Sequence, residues 1–198
     1  MKTMRNVFAI AVVFCLGMAA MAWGQESKIA DILIQAEAAH QRIPLASSQN
    51  PAIDVDMAYR VQKSYVEKKL SDQKIAGFKA GLTSESSQKK FGVTNPVSGV
   101  LFESGKRSEG VSIDSSAFHL PMIETEIGFV IGKSITQPLD DADALRERIS
   151  AVMPVIELPD LGFSDMKQLK GVDIIAANVA AKQFIVGSKQ KVDADDLN

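Results

Sequence analysis

The chain has 198 residues, 46% hydrophobic and 23% charged, with 22 basic residues against 24 acidic ones. That length suffices for one domain with its own core, and the composition excludes a disordered or collagen-like chain. A net charge of −2 excludes the strongly basic surface expected of a nucleic-acid binder.

The first element is not part of the expected fold. "MKTMRNVFAIAVVFCLGMAAMAWGQES" places Lys2 and Arg5 before an apolar run from Val7 to about Met21, with small residues at Ala20 and Ala22. This is the pattern of a secretory signal peptide, cleaved after Ala22 or Gly24. The run falls short of the about 20 apolar residues a membrane span needs, so an uncleaved anchor is the weaker alternative. Residues 1–24 are thus expected to direct the chain to the periplasm or outside the cell, leaving no stable membrane anchor. Residues 25–198 are expected to form the mature domain. Without Lys2 and Arg5, 20 basic residues face 24 acidic ones, a net charge of about −4. The single cysteine, Cys15, leaves with the signal, so the mature chain has neither disulfides nor thiol chemistry.

Residues 27–43 carry Ile29, Ile32, Leu33, Ala36, Ala39 and Ile43 at helical spacing. "PLASSQNPAI" reads as a loop. Asp54 can cap a second helix, "VDMAYRVQKSYVEKKLSDQ". Beyond residue 74, "KIAGFKAGLTS", "SGVLFES", "ETEIGFVIGKS" and "AKQFIVGSK" read as strands broken by Gly and Ser. "DDADALRERISAVMP" reads as an inserted helix closed by Pro154. Helices followed by a strand-rich body indicate an α+β fold. The polar end "GSKQKVDADDLN" leaves the last strand's sheet edge uncovered, which fits either a short tail or a fragment.

Within "PMIETEIGFVI" two acids sit in a strand-forming run. On a strand, Glu124 and Glu126 share one face, roughly 6–7 Å apart along the backbone, while Ile123, Thr125, Ile127 and Phe129 take the other. At about 4 Å, two carboxylates repel by ~4 kcal/mol at an effective dielectric near 20. A retained proton, an intervening cation side chain or a divalent metal makes that tolerable. Glu157 in "VMPVIELPD" is a third acid in an apolar run. Three carboxylates suit hard ions such as Mg²⁺ or Mn²⁺. The competing reading is a wet strand face. His40 and His119 are not placed for a zinc site. Lys79, between Gly77 and Gly81, is either a snorkelling strand lysine or an acid/base group.

Taken in order, these segments resemble the 2-keto-4-pentenoate hydratase and 4-oxalocrotonate decarboxylase family, within the fumarylacetoacetate hydrolase-like superfamily. "DMAYRVQ" (56–62) is similar to its D-A-Y-x-x-Q helix and "GFKAGLTS" (77–84) to its G-x-K-x-G-L-T-S segment. "FGVTNPVSGVLF" (91–102) is similar to the loop and strand that follow. "IETEIGFVI" (123–131) resembles the E-x-E metal strand, and "VMPVIEL" (152–158) the segment supplying the third carboxylate. "VDIIAANVAAKQFIVG" (172–187) resembles the V-D-x-x-A-D-N strand.

The resemblance implies N-terminal helices and a fumarylacetoacetase-like mixed β-roll, lacking its C-terminal strands. It implies Mg²⁺ or Mn²⁺ held by Glu124, Glu126 and Glu157, with Lys79 as the catalytic proton-handling residue. It implies substrate contacts from Gly81, Leu82, Asp173 and Asn178, and a homo-oligomer. The substrate would be a small 2-oxo acid or its dienol tautomer from aromatic-compound catabolism. The metal would chelate its carboxylate and keto oxygens and stabilise the dienolate before water adds to the distal double bond. Two departures stand out. Val97 occupies the place of a hydratase acid, and Ala177 that of the Asp in A-D-N, so one acid/base role is unfilled. The alternatives are decarboxylation or acylpyruvate-type C–C hydrolysis on the same metal, or an exported 2-oxo acid binding protein without catalysis.

Overall fold

The computed structural model describes residues 24–193 and Leu197. The signal-peptide reading and Cys15 lie outside the described residues, apart from Gly24. Among the described residues no helix is long and apolar enough to cross a membrane. The chain combines helices with mixed sheets and divides into two compact units.

The first unit comprises the chain up to Gln73, Phe78–Val100 and Gly162–Ala180. Helix α1 spans 24–38 and buries Ile29, Leu33 and Ala36 along one stripe, as the spacing requires. It stops short of the expected residue 43 because His40 adopts a left-handed backbone, φ 50°. Helix α2 (Ala46–Gln49) is a single turn. Helix α3 (Val55–Lys69) starts where Asp54 accepts the Met57 N–H at 2.7 Å, so the sequence cap is the structural cap. Its buried side presents Ala58, Val61, Gln62, Tyr65 and Val66. Helix α4 (Glu85–Phe91) is capped by Ser84 and closed by Gly92 in the left-handed region, φ 72°.

Helix α6 (Gly171–Ala176) corrects a sequence expectation: "VDIIA" is helical, not a strand. The apolar pair Ile174–Ile175 reads as strand locally, but the Asp173 carboxylate accepts the Lys170 N–H at 2.9 Å and starts a helix. Gln62 then donates from α3 to the Ile175 carbonyl at 3.1 Å and to that of Ser98 at 2.8 Å.

The second unit comprises Lys74–Gly77, Leu101–Leu161 and the chain from Ala181. Strands β1 (Ile75–Gly81) and β2 (Val97–Phe102), most of whose residues belong to the first unit, pair as a two-stranded sheet. The second unit's own sheet contains β3 (Lys106–Arg107), β4 (Glu124–Ile131), β5 (Ile149–Leu158), β6 (Gln183–Val186) and β7 (Gln190–Lys191). Its order is β3-β6-β5-β4, with β7 also on β5. β4 and β6 flank β5 antiparallel, and β3 lies parallel to β6, so the sheet is mixed.

The expected helix ending at Pro154 is cut to α5 (Ala142–Arg146), and Pro154 lies inside β5. A helix would lose the residue-154 N–H and clash with the proline ring. The β5–β6 register instead ends at Val155↔Val186, and the Pro154 carbonyl accepts the Gly187 N–H at 2.9 Å.

Candidate active site

β4 and β5 run antiparallel in a register that sets Glu124 opposite Glu157 and Glu126 opposite Val155. The two-residue repeat puts Glu124 and Glu126 on one face, and register adds Glu157 to it. One carboxylate oxygen from each of the three lies within 4.8 Å of the other two. Glu157 is only 1% exposed, Glu126 is half-buried and Glu124 is open to solvent. Beside Glu157, on the next strand, the buried Phe184 is its register partner. Gly128 lets β4 lie tightly on β5, because a Cβ there would come within 2.7 Å of Val155.

The sense of this strand inverts the ordinary amphipathic pattern. Ile127 is 70% exposed and Phe129 51% exposed, whereas the acid-bearing face is the more enclosed one. The wet-face reading holds for Glu124, which is open to solvent, but does not extend to Glu157, which is buried.

The donor set is all carboxylate oxygen, which fits a hard divalent cation. At the 4.8 Å limit, each pair of carboxylates repels by roughly 3–4 kcal/mol at an effective dielectric near 20. A doubly charged cation between them turns that repulsion into attraction, and the exposed Glu124 side leaves a way in. The residues present fit the metal.

The remaining candidates lie in the first unit. Lys79, on β1, is 8% exposed and donates to the Val179 carbonyl at 3.3 Å. A Cβ on Gly81 would meet Val179 Cγ1 at 2.6 Å and Val97 Cγ2 at 3.5 Å. Val97, in the place of the family acid, is thus an apolar packing residue, 4% exposed. Leu82 holds a left-handed backbone, φ 51°, and its carbonyl accepts from Gln88 at 3.0 Å. Asn178 is buried and gives both ends of its carboxamide to Val100. Asp173 is also buried. Its carboxylate accepts from the Ser47 N–H at 2.7 Å and hydroxyl at 3.1 Å, as well as from Lys170. The chain's own groups thus engage both carboxylate oxygens of Asp173 and both ends of the Asn178 carboxamide.

Sequence reasoning passed over Asp160. It is 4% exposed and follows β5 in "ELPDL". Its carboxylate accepts the N–H groups of His119 and Leu120 and the Lys182 ammonium at 2.7 Å. Burial pushes its pKa up, but Lys182 and the two N–H donors outweigh that and hold it below the usual aspartate value. An acid directly after a Pro at a strand end was the available signal.

No protein-family model matches the chain. It is 29% identical over 165 residues to a 2-keto-4-pentenoate hydratase of Paraburkholderia xenovorans (strain LB400), covering 83% of this chain and 61% of that protein. It is 31% identical over 170 residues to a TodF product hydratase of Pseudomonas putida, covering 85% and 63%. A 4-oxalocrotonate decarboxylase of Pseudomonas sp is 28% identical over 173 residues, covering 87% and 66%. Among solved structures, the 4-oxalocrotonate decarboxylase from Pseudomonas putida G7, complexed with magnesium and adipate, superposes with a TM-score of 0.80 at 25% identity, over 87% of this chain and 65% of that one. The same enzyme has also been solved with calcium and acetate. The chain spans 61% of the length of the first curated hydratases it matches. Over that shared length it is similar to proteins named 2-keto-4-pentenoate hydratase and 4-oxalocrotonate decarboxylase.

Proposed function

We propose that the chain carries the metal-dependent hydratase activity of a hydro-lyase acting on a 2-hydroxy-2,4-dienoate or 2-oxo-4-enoate. The observation that carries this reading is the cluster of Glu124, Glu126 and Glu157 on one face of β4 and β5. These three residues would hold Mg²⁺ or Mn²⁺. Such an ion, when bound, supplies Lewis-acid polarisation of a 2-oxo acid. Lys79, buried on β1, is the group assigned to move the proton during tautomerisation. The hydroxyl and a proton of water then end on the two carbons of the distal double bond. Gly81 and Leu82, with Asp173 and Asn178, are the residues assigned to contact the substrate by the family resemblance. Relatives named 2-keto-4-pentenoate hydratase and the magnesium complex of the structural neighbour support this assignment.

The finer architecture belongs to the same reading: a fumarylacetoacetase-like β-roll of which this chain carries part, active as a homo-oligomer. An exported, periplasmic location rests on the sequence of residues 1–24 alone.

Decarboxylation of a 2-oxo acid on the same metal is the second reading. The apolar, buried Val97 favours it, because a side chain without a proton cannot assist water addition. The test is turnover of a 2-hydroxy-2,4-dienoate with Mg²⁺ or Mn²⁺, read as loss of diene absorbance with product mass determined. A product heavier by one water supports hydration. A product lighter by carbon dioxide from a dicarboxylic 2-oxo acid supports the second reading. Turnover unaffected by chelator or by Glu157→Gln removes both.

A further inference from the structure

Three consecutive residues, Asn178, Val179 and Ala180, hold left-handed backbones, with φ of 54°, 54° and 55°. None is glycine, and a β-branched residue such as Val179 is a true outlier in that region. Such a turn persists only where its surroundings over-determine it. Here they do. The Asn178 carboxamide accepts the Val100 N–H at 2.7 Å and donates to the Val100 carbonyl at 2.8 Å, so one side chain pairs with β2 as a neighbouring strand would. Asn178 is 2% exposed.

Glycines make the room. A Cβ on Gly99 would lie 2.9 Å from the Asn178 carbonyl oxygen, 3.1 Å from Val179 Cβ and 3.3 Å from Lys79 Cγ. A Cβ on Gly81 would lie 2.6 Å from Val179 Cγ1. The Val179 side chain thus fills a slot left by one glycine on β1 and one on β2. The outcome of the turn is the direction of one carbonyl, that of Val179, which meets the Lys79 ammonium at 3.3 Å.

We propose that the Asn178–Val179–Ala180 turn is the device that positions Lys79, with Asn178 as a positioning residue that acts through the Val179 carbonyl. The role of Lys79 in turnover rests on the function proposed above; its immobilisation does not. Each end of the Asn178 carboxamide is engaged by Val100 and keeps capacity for a second hydrogen bond. A lysine held by a fixed carbonyl keeps its ammonium at one place, and proton transfer depends on that place.

The experiment uses the full chain with ¹³C,¹⁵N-labelled lysine, the Lys79 signal being assigned from its loss in Lys79→Arg. The readout is the pair of Lys79 Hε protons on ¹³Cε. A fixed side chain gives two distinct shifts, and a freely rotating one gives a single averaged shift. The wild-type chain is expected to show two, and Asn178→Ala one, with dispersion elsewhere retained. Should Asn178→Ala fail to fold, Asn178→Asp is read in the same way. It keeps the side chain's shape but sets a carboxylate oxygen against the Val100 carbonyl in place of the N–H donor, and is expected to release Lys79. Where turnover is measurable, kcat should fall roughly 10–100-fold with KM little changed. Mg²⁺ affinity should also stay unchanged. A wild-type Lys79 that already shows one averaged shift overturns the proposal. So does a folded variant that keeps both shifts. Absence of hydratase activity, with Lys79 fixed in the wild type and released in the variant, removes the proposed function and leaves this inference standing.

Discussion

Glu124 and Glu157 stand directly opposite each other on β4 and β5, two acids paired across an antiparallel ladder. Like charges in that position oppose sheet formation. Glu126 adds a third carboxylate to the same face, and one of the three is almost wholly buried. A divalent cation held among the three would offset that repulsion.

The first prediction concerns that ion. With Mg²⁺ at about 100 times its Kd, the wild type should gain about 2.7 kcal/mol and Glu157→Gln little or nothing. Thermal unfolding with and without Mg²⁺ measures both. An equal gain in the variant would place the ion elsewhere.

Asp160 should produce an acid-side stability loss. Its folded pKa is depressed below the ordinary value of 3.8, with burial opposing and Lys182 and the His119 and Leu120 N–H groups prevailing. A depressed carboxyl pKa contributes stability that is present above the unfolded value and lost as pH falls through the folded one. Asp160→Asn should therefore cost about 2 kcal/mol at neutral pH, where a charged acceptor for buried donors is lost. The difference from wild type should close below about pH 3.8. Urea unfolding across that range checks it.

Tyr65 should act at the opposite end of the pH scale. Its hydroxyl donates to Glu37 at 2.6 Å, and burial, then the Glu37 charge and hydrogen bond, raise its pKa well above 10.0. A raised pKa contributes stability fully present below the unfolded value and lost as pH rises through the folded one. Wild type should lose stability in strong alkali faster than Tyr65→Phe. At neutral pH the same variant should be about 1 kcal/mol less stable, from the lost hydrogen bond. Alkaline and neutral denaturation curves of the two proteins decide it.

Two glycines should respond oppositely to alanine. At Gly105 a Cβ would lie 2.4 Å from the Lys182 backbone oxygen, so Gly105→Ala must move backbone and should cost about 1–3 kcal/mol. At Gly77 nothing lies within 4 Å, so Gly77→Ala should be neutral or stabilise by up to about 1 kcal/mol. Comparable losses at both positions would refute the close packing of β6 on the turn before β3.

Much of this molecule was legible from local patterns. Asp54 announced the start of α3, and the short apolar runs announced β1, β2, β4 and β6. Pro154 misled because proline ends helices but is tolerated where a strand leaves its N–H unneeded. Ile174 and Ile175 misled because their β-preference yields to the Asp173 cap and to Gln62 on the Ile175 carbonyl. Asp160 was missed because its partners, Lys182 and the N–H groups of His119 and Leu120, are far from it in sequence.

Composition, the E-x-E spacing and the lone acid at 157 determined by themselves that three carboxylates were candidates for one hard cation, since a strand's two-residue period is a local property. Only the tertiary structure decided that Glu157 faces Glu124, that the isoleucine face of β4 is the open one, and that Asn178 pairs with Val100. Register, burial and hydrogen-bond partners are set by pairing between distant segments, and a slip of one residue would have turned the Glu124–Glu126 pair away from Glu157.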